Sequence, residues 1–445
     1  MDPLFYLNAI LMNKKLIQKA KYPVMTFKQK IKMQRGRFGH RPRNDPHYYN
    51  GTYPFIQTGN VVKASESNEK IEYTQTLNEL GLSTSRLFDE KVLVITIAAN
   101  IGYTAILDYT ACFPDSLVAL TLKDSALSLE YLNIYIRMIR QYIENLAPQA
   151  AQKNINLKQL GKLPLIVPDK DIQQKIVSIM ESAYLKKNQL KKESQALLES
   201  IDMYLLQELG IKSSIEENTI QSRIFYTSSN KVLGNRFDPN YYEGEHEFNA
   251  VISTSKFLIC NFRQLIRSIT NGIEIRKYSK KGFRYLRVSD MSKHGIVNKN
   301  ARYVDVDNIP SKIKLTANDL LISRSGSLGL IEVVTDEIVD SILSSHIFRI
   351  QLLHSVNEYY IQEFLRSSLG QYQIFKLNNG GIIPEITQNA LGRIKICIPP
   401  KTKQDEIANH LMQLRARSKE LLYKANNDIA IAQEEVKKIL LGDKL

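Results

Sequence analysis

The second half of this chain restates the first, and an internal duplication on that scale limits the fold more than any single motif. Asp2, Pro3, Phe5 and Tyr6 recur as Asp238, Pro239, Tyr241 and Tyr242. Phe27, Lys28, Gln29, Ile31 and Lys32 recur as Phe262, Arg263, Gln264, Ile266 and Arg267, and Gly36 falls on Gly272. Phe55, Ile56, Asn60 and Val61 answer to Tyr285, Leu286, Asp290 and Met291; Val92–Val94 with Gly102 answer to Leu320–Ile322 with Gly329. The densest match closes each repeat. Leu160, Gly161, Lys162, Leu163, Val167, Pro168, Gln173 and Ile176 map without a gap onto Leu391, Gly392, Arg393, Ile394, Ile398, Pro399, Gln404 and Ile407. Two copies in 445 residues are too few and too long for a solenoid, so each copy is a domain with an appended element.

Before its proline, each repeat reads as mixed α/β. Val92–Ile97, Ser116–Leu122 and Leu163–Val167 are short and rich in β-branched residues, which suits strands. Leu129, Leu132, Ile136, Ile139, Ile143 and Leu146 recur at helical spacing, which predicts one helix, echoed by Tyr360–Phe375 in the second copy. After Pro168 neither Gly nor Pro occurs until Gly210, while Ile176, Ala183, Leu190, Leu197 and Tyr204 recur at sevens. After Pro400 a matching seam runs through Ile407, Leu411, Leu414, Ser418, Leu421, Ala425, Ala432 and Ile439. A helix of that length reaches about 57 Å at about 1.5 Å per residue, too long to hide its seam in one small domain. The expected fold class is therefore α/β: a tandem duplication of two mixed α/β domains separated by two long antiparallel coiled-coil helices. The alternative is that each helix packs back on its own domain. The expected boundaries are a first body over 1–167, a helix over 168–211, a polar linker over 212–236, a second body over 237–398 and a second helix over 399–445.

Lys plus Arg number 60 against 45 Asp plus Glu, a net charge of +15, which calls for a polyanionic partner. No apolar run approaches the roughly 18 residues of a membrane span, and the start lacks the pattern of a signal peptide. Cys112, Cys260 and Cys397 are too scattered for a disulfide framework, so a reducing, cytoplasmic setting is expected. The positive charge is concentrated. Residues 28–44 hold Lys28, Lys30, Lys32, Arg35, Arg37, Arg41 and Arg43 without an acid. The second copy offers Arg276, Lys277, Lys280, Lys281, Arg284 and Arg287, interleaved with Tyr278, Phe283 and Tyr285. Lys and Arg neutralise phosphates, and Arg alone also presents a planar fork matching guanine O6 and N7, so Arg is the better candidate for reading bases. Solvated loops are the plain alternative for either cluster. Arg324 opens a Gly-rich turn (Arg324–Gly329) that suits a phosphate cradle or an ordinary hairpin. Asn379, in a polar loop matched by the segment holding Lys153, suits adenine or a turn.

Catalytic signatures are missing. There is no Asn-Pro-Pro-Tyr string, no Gly-rich cofactor loop between strand and helix, no Walker loop and no ligand-spaced histidines. Asp238-Pro239-Asn240-Tyr241 only resembles a methyltransferase tetrapeptide and fits a structural turn. The expectation is a chain with no catalytic residues, no metal and no cofactor.

Two basic α/β repeats, each closed by the Leu-Gly-Lys/Arg string, a Pro, a Gln, an Ile and a long helix, resemble the specificity subunits of type I restriction-modification systems. The resemblance covers nearly the whole chain. It implies a non-enzymatic DNA-recognition subunit in which each body is a target-recognition domain reading one half of a bipartite site in double-stranded DNA, while the helices set the gap. It also implies two adenine methyltransferase (modification) subunits as partners and, for cleavage, ATP-dependent restriction subunits, with no membrane association. The family does not say which residues touch DNA; the charge clusters and polar loops supply the expected DNA-binding set, Lys32, Arg35, Arg37, Arg41, Arg43, Lys153, Arg276, Lys277, Lys280, Lys281, Arg284, Arg287, Arg324 and Asn379. Two other readings stay open: the specificity subunit of a type II system with a fused methyltransferase-nuclease partner, and a stand-alone two-headed DNA-binding protein.

Overall fold

A computed structural model describes residues 18–39, 44–146, 154–212, 224, 226–232, 239–242, 244–293, 295–298, 300–306, 313–378 and 383–441. The chain forms two compact units, Met1–Lys192 with Leu421–Leu445, and Glu193–Glu420.

The first unit begins with β1 (Val24–Thr26) and β2 (Ile31–Arg35), followed by β3 (Tyr49–Phe55), β4 (Gln75–Leu77) and β5 (Leu87–Phe88). It continues with β6 (Val92–Thr96), β7 (Thr104–Leu107), β8 (Ala111–Cys112), β9 (Leu117–Leu122) and β10 (Pro164–Ile166). An antiparallel sheet has the order β2-β9-β6-β7 and a mixed sheet the order β4-β3-β8-β5, while β1 pairs with β10. All five residues of β6 are buried, as a β-branched run between two covered sheet faces should be. Leu93, Ile95, Val118 and Leu120 meet Leu132 and Ile136 of the helix Leu129–Met138 in one apolar core.

The second unit repeats this plan with β11 (Leu258–Asn261), β12 (Ile266–Asn271), β13 (Phe283–Leu286), β14 (Met291–Ser292), β15 (Gly295–Ile296) and β16 (Arg302–Val304). Then come β17 (Leu320–Ser323), β18 (Ile331–Val333), β19 (Ser341–Leu343), β20 (Ile347–Leu352) and β21 (Lys395–Ile398). The order β12-β20-β17-β18 copies β2-β9-β6-β7 strand for strand, and β11 pairs with β21 as β1 pairs with β10. The parallel contact of β3 with β8 recurs as β13 with β19. Duplication in the sequence is thus duplication of a topology.

One expectation needs correction. The single helix over 129–146 arrives as two, Leu129–Met138 and Arg140–Asn145, broken at Ile139. Its counterpart is broken likewise into Glu358–Arg366 and Ser368–Lys376. There Ser367 leaves helical geometry and its Oγ accepts from the Gly370 N–H, because a serine cap satisfies the orphan donors of a new helix start. Apolar spacing carried across the break because both pieces face the same core.

The doubled closing string is a lock. Leu160 and Leu163, and likewise Leu391 and Ile394, are buried. The carbonyls of Leu163 and Ile394 accept from the N–H groups of Phe27 and Phe262. Gln173 and Gln404 are buried in turn. Gln173 accepts from Ser128 N–H at 3.0 Å and donates to the carbonyls of Ala126 and Pro168. Gln404 accepts from Asn357 N–H at 2.9 Å and donates to the carbonyl of Pro399. Ser128 and Asn357 cap the helices Leu129–Met138 and Glu358–Arg366, so each glutamine ties the start of a long helix to the cap of the body's own helix.

The long helices span Lys170–Leu209 and Lys401–Leu441. Their pairing is antiparallel. In the second unit Ser194 Oγ meets Ser418 Oγ at 2.7 Å while Glu208 meets Lys403 at 2.6 Å, so one helix ascends as the other descends. In the first unit Lys186 meets Asp428 at 2.9 Å. Pairing and packing onto the bodies turn out not to be alternatives. Ile176, Val177 and Met180 share a core with Tyr131 and Leu165 of the body and with Ala432 and Val436 of the other long helix. No helix among the described residues is long and apolar enough to cross a membrane.

Candidate nucleic-acid interface

The basic segment of the first unit is held by what alternates with it. Along residues 35–38, Arg35 and Arg37 are exposed while Gly36 and Phe38 are buried. A Cβ on Gly36 would lie 2.4 Å from the carbonyl oxygens of Phe113 and Pro114, and one on Gly272 would lie 2.3 Å from those of Leu343 and Ser344. Only glycine fits either place. Phe38 sits among Tyr48, Tyr49 and Phe55, with ring centroids 5.0 to 6.3 Å away. Anchored on both sides, Arg37 has nowhere to point but outward. Lys32 projects from the edge strand β2, and Arg35 Nε donates to the Asp115 carbonyl at 2.7 Å. Arg41 and Arg43 lie outside the described residues.

In the second unit, Lys277, Lys280 and Lys281 are exposed and form no ion pair with a carboxylate among the described residues. Arg276 is 89% exposed, 3.5 Å from Glu274. Their turn depends on Gly282, whose φ of 109° and whose Cβ position, 2.2 Å from the Val304 carbonyl, exclude a side chain. Tyr278 is half-exposed between Tyr285, 6.0 Å away, and the Arg302 guanidinium, 5.5 Å from its ring centroid. Arg302 adds a cation that sequence clustering missed, since it arrives from β16 rather than from the run itself.

Two arginines of the expected set, Arg287 and Arg324, pair with carboxylates inside the protein, and a third, Arg284, makes a long backbone contact. Arg287 grips buried Asp290 with two nitrogens, at 3.0 and 2.7 Å, and also donates to the Asn300 carbonyl. The same carboxylate accepts from Arg287 N–H, a reciprocal cap that Gln57 and Asn60 repeat in the first unit. Hydrogen bonding to Asp290 raises the Arg287 pKa, so the guanidinium stays charged. Arg324 pairs with Glu385 and lies 5.6 Å from the Phe348 ring centroid. Its Gly-rich turn joins β17 to β18 as a hairpin, with Gly326 and Gly329 at φ of 82° and 74°. Arg284 is half-buried, with Nη2 at 3.4 Å from the Val297 carbonyl. Lys153 and Asn379 lie outside the described residues; Asn154, next to Lys153 in the chain, forms a bridge with Ala98, and Glu385 forms one with Ser325.

Burial pushes the Cys112 thiol up to about 11, the reverse of an activated nucleophile. Among the described residues no cluster of His, Cys, Asp and Glu has the arrangement of a metal site.

A family model described as the type I restriction modification DNA specificity domain matches residues 36–200 and again 266–430. A chain solved in work on complex assembly and conformational transition of the type I restriction-modification system is 11% identical. That match covers 95% of this chain and 98% of that one at a TM-score of 0.51, a shared fold. The S subunit of the type I system from M. genitalium is 14% identical over 96% and 97% of the two chains, at a TM-score of 0.47. The HsdS subunit from Thermoanaerobacter tengcongensis is 11% identical over 95% and 97%, at a TM-score of 0.37.

Proposed function

This chain belongs to the type I restriction-modification DNA specificity family, and from that premise we propose how its two bodies divide the work. Specificity subunits are the non-catalytic recognition components of their complexes and act with a methyltransferase on DNA. Each body here reads one half of a two-part duplex target, and the paired long helices set the interval between halves. The observation that carries this is one strand order built twice under unlike loops. A shared scaffold with different loops suits two readers of different sequences.

Arg37 and the turn carrying Lys277, Lys280 and Lys281 face the DNA, joined by Lys32, Arg35, Arg276 and Arg284. Arg41, Arg43, Lys153 and Asn379, which lie outside the described residues, join the proposed DNA contacts on their sequence alone. Arg287 and Arg324 have their guanidinium groups tied to Asp290 and Glu385, so they position the loops that read rather than read themselves. A phosphate contact lowers affinity for all sequences when lost, whereas a lost bidentate base contact costs about 1 to 3 kcal/mol at one position. Two methyltransferase subunits, one for each repeat, match the duplication, and ATP-dependent restriction subunits join for cleavage in the cytoplasm.

The test uses variants in the chain co-expressed with its methyltransferase, followed by genome-wide mapping of methylated adenine. Arg37→Ala relaxes one half of the motif, and Lys280→Ala with Lys281→Ala weakens engagement of the other. Equal degradation of both halves by either variant overturns the division of work.

A further inference from the structure

Arg263, Arg267 and Arg393 lie outside the basic run at 275–289, yet they line one open cleft of about 810 Å³ together with Gln264, Gln388 and Asn389. Among the described residues, no carboxylate stands on its walls. All three arginines are exposed, and none pairs with a carboxylate among the described residues; Arg267 donates to the neutral Gln351 Oε1 at 3.0 Å. The cleft depends on a glycine. A Cβ on Gly392 would lie 3.2 Å from the Arg263 Cβ, and Arg263 N–H donates to the Gly392 carbonyl at 3.0 Å. The bare backbone therefore lets the stem of Arg263 lie against the turn that carries Arg393.

The first unit repeats the device. A Cβ on Gly161 would meet the Lys28 Cβ at 3.5 Å, and Lys162 follows in the chain. Lys28, Lys32 and Lys162 are exposed and without a carboxylate pair among the described residues. Each position keeps its charge between repeats and changes its head group: Lys28 for Arg263, Lys32 for Arg267, Lys162 for Arg393. Arginine's planar fork and lysine's point charge are not equivalent on a base edge, so that exchange is not conservative for a two-pronged base contact, whereas a phosphate oxygen accepts from either. Recurrence points the same way. Two bodies that read unlike half-sites have the sugar-phosphate backbone in common, not the bases.

Building on the DNA-specificity reading, we infer that these triads are sequence-independent phosphate clamps, one in each repeat, that seat each body on the duplex backbone while other residues read bases. The closing Leu-Gly-Lys/Arg string then does two jobs: its apolar residues lock the fold, and its glycine and cation build the clamp.

The experiment takes the full chain with its methyltransferase partner and measures fluorescence anisotropy on a labelled target duplex and a labelled non-target duplex across a salt series. For R263Q/R267Q/R393Q, affinity for both duplexes falls by one factor, about 5-fold per lost contact at ~0.15 M salt, and the log-log slope shrinks by about 0.9 per contact. K28Q/K32Q/K162Q behaves alike, and R263K/R267K/R393K restores both readings. An unchanged slope in the glutamine variants beside a steep wild-type slope overturns the clamp and leaves DNA recognition standing. A wild-type slope near zero fails the recognition reading itself. Loss of target preference would make the cleft a base reader, and loss of the methyltransferase on purification with the slope intact would make it a docking face; either overturns the inference. Should the triple variant fail to fold, Arg393→Gln at its exposed position carries the same test with a one-contact change.

Discussion

Replacing Gln173 with leucine probes the lock between body and long helix in the first unit. The side chain is 1% exposed, and its three hydrogen bonds to backbone groups join Ser128 N–H and the carbonyls of Ala126 and Pro168 at 3.0, 2.7 and 2.8 Å. Leucine has similar volume and good helix propensity, so neither a cavity nor a propensity change dominates. The damage comes from three backbone groups that lose their partner. Each buried unsatisfied group costs about 1 to 3 kcal/mol, and since the site near Ala126 is partly open to water, the sum is about 2 to 5 kcal/mol. Gln404→Leu removes two such bonds and should cost about 1 to 4 kcal/mol. Against a typical stability of about 5 to 15 kcal/mol, either change is large. Urea unfolding with amide exchange read separately in Leu129–Met138 and Glu358–Arg366 assigns each loss to its own unit. A change below about 0.5 kcal/mol for Gln173→Leu, the size of an ordinary surface substitution, or equal loosening of both units, would refute the reasoning.

Gly36→Ala and Gly272→Ala each drive a Cβ to 2.4 Å or less from backbone carbonyls, so thermal melts should fall by the equivalent of about 1 to 3 kcal/mol. Arg287→Lys keeps the charge but loses the two-pronged grip on Asp290; the turn Val288–Asp290 should gain exchange with solvent while the methylated motif keeps its sequence. Cys112 is buried, and its thiol stays protonated up to about 11 against an ordinary 9.0. Between those pH values the unfolded chain releases a proton that the folded chain retains, so stability falls as pH rises through that window and Cys112→Ala flattens the fall, read as the pH dependence of urea midpoints.

The duplication makes most of the fold legible in the sequence. Strands β6, β9 and β10 and both long helices fall where β-branched runs and seven-residue spacing put them, because those elements are set by burial that sequence period reports directly. The break after Met138 was hidden, since apolar spacing continues across it and only the local cap at Ser367 marks the second copy's break. The site was less legible. Charge runs single out Arg37 and Lys277–Lys281 as candidates, but a run cannot reveal which arginines already have partners. Asp290, three residues beyond Arg287, carried that information as the matched partner of Asn60, and it took the reciprocal cap to see why. Arg302 and Glu385 come from distant segments, so no local pattern joins them to Tyr278 or Arg324.

The most direct measurement of the central claim is the methylated-adenine map of a host lacking its own systems, carrying this chain with its methyltransferase. A single two-part motif with a fixed unspecified gap, and no such methylation when this chain is omitted, is the predicted result. A continuous motif, or the same methylation without the chain, would contradict the account of two bodies each reading half a site.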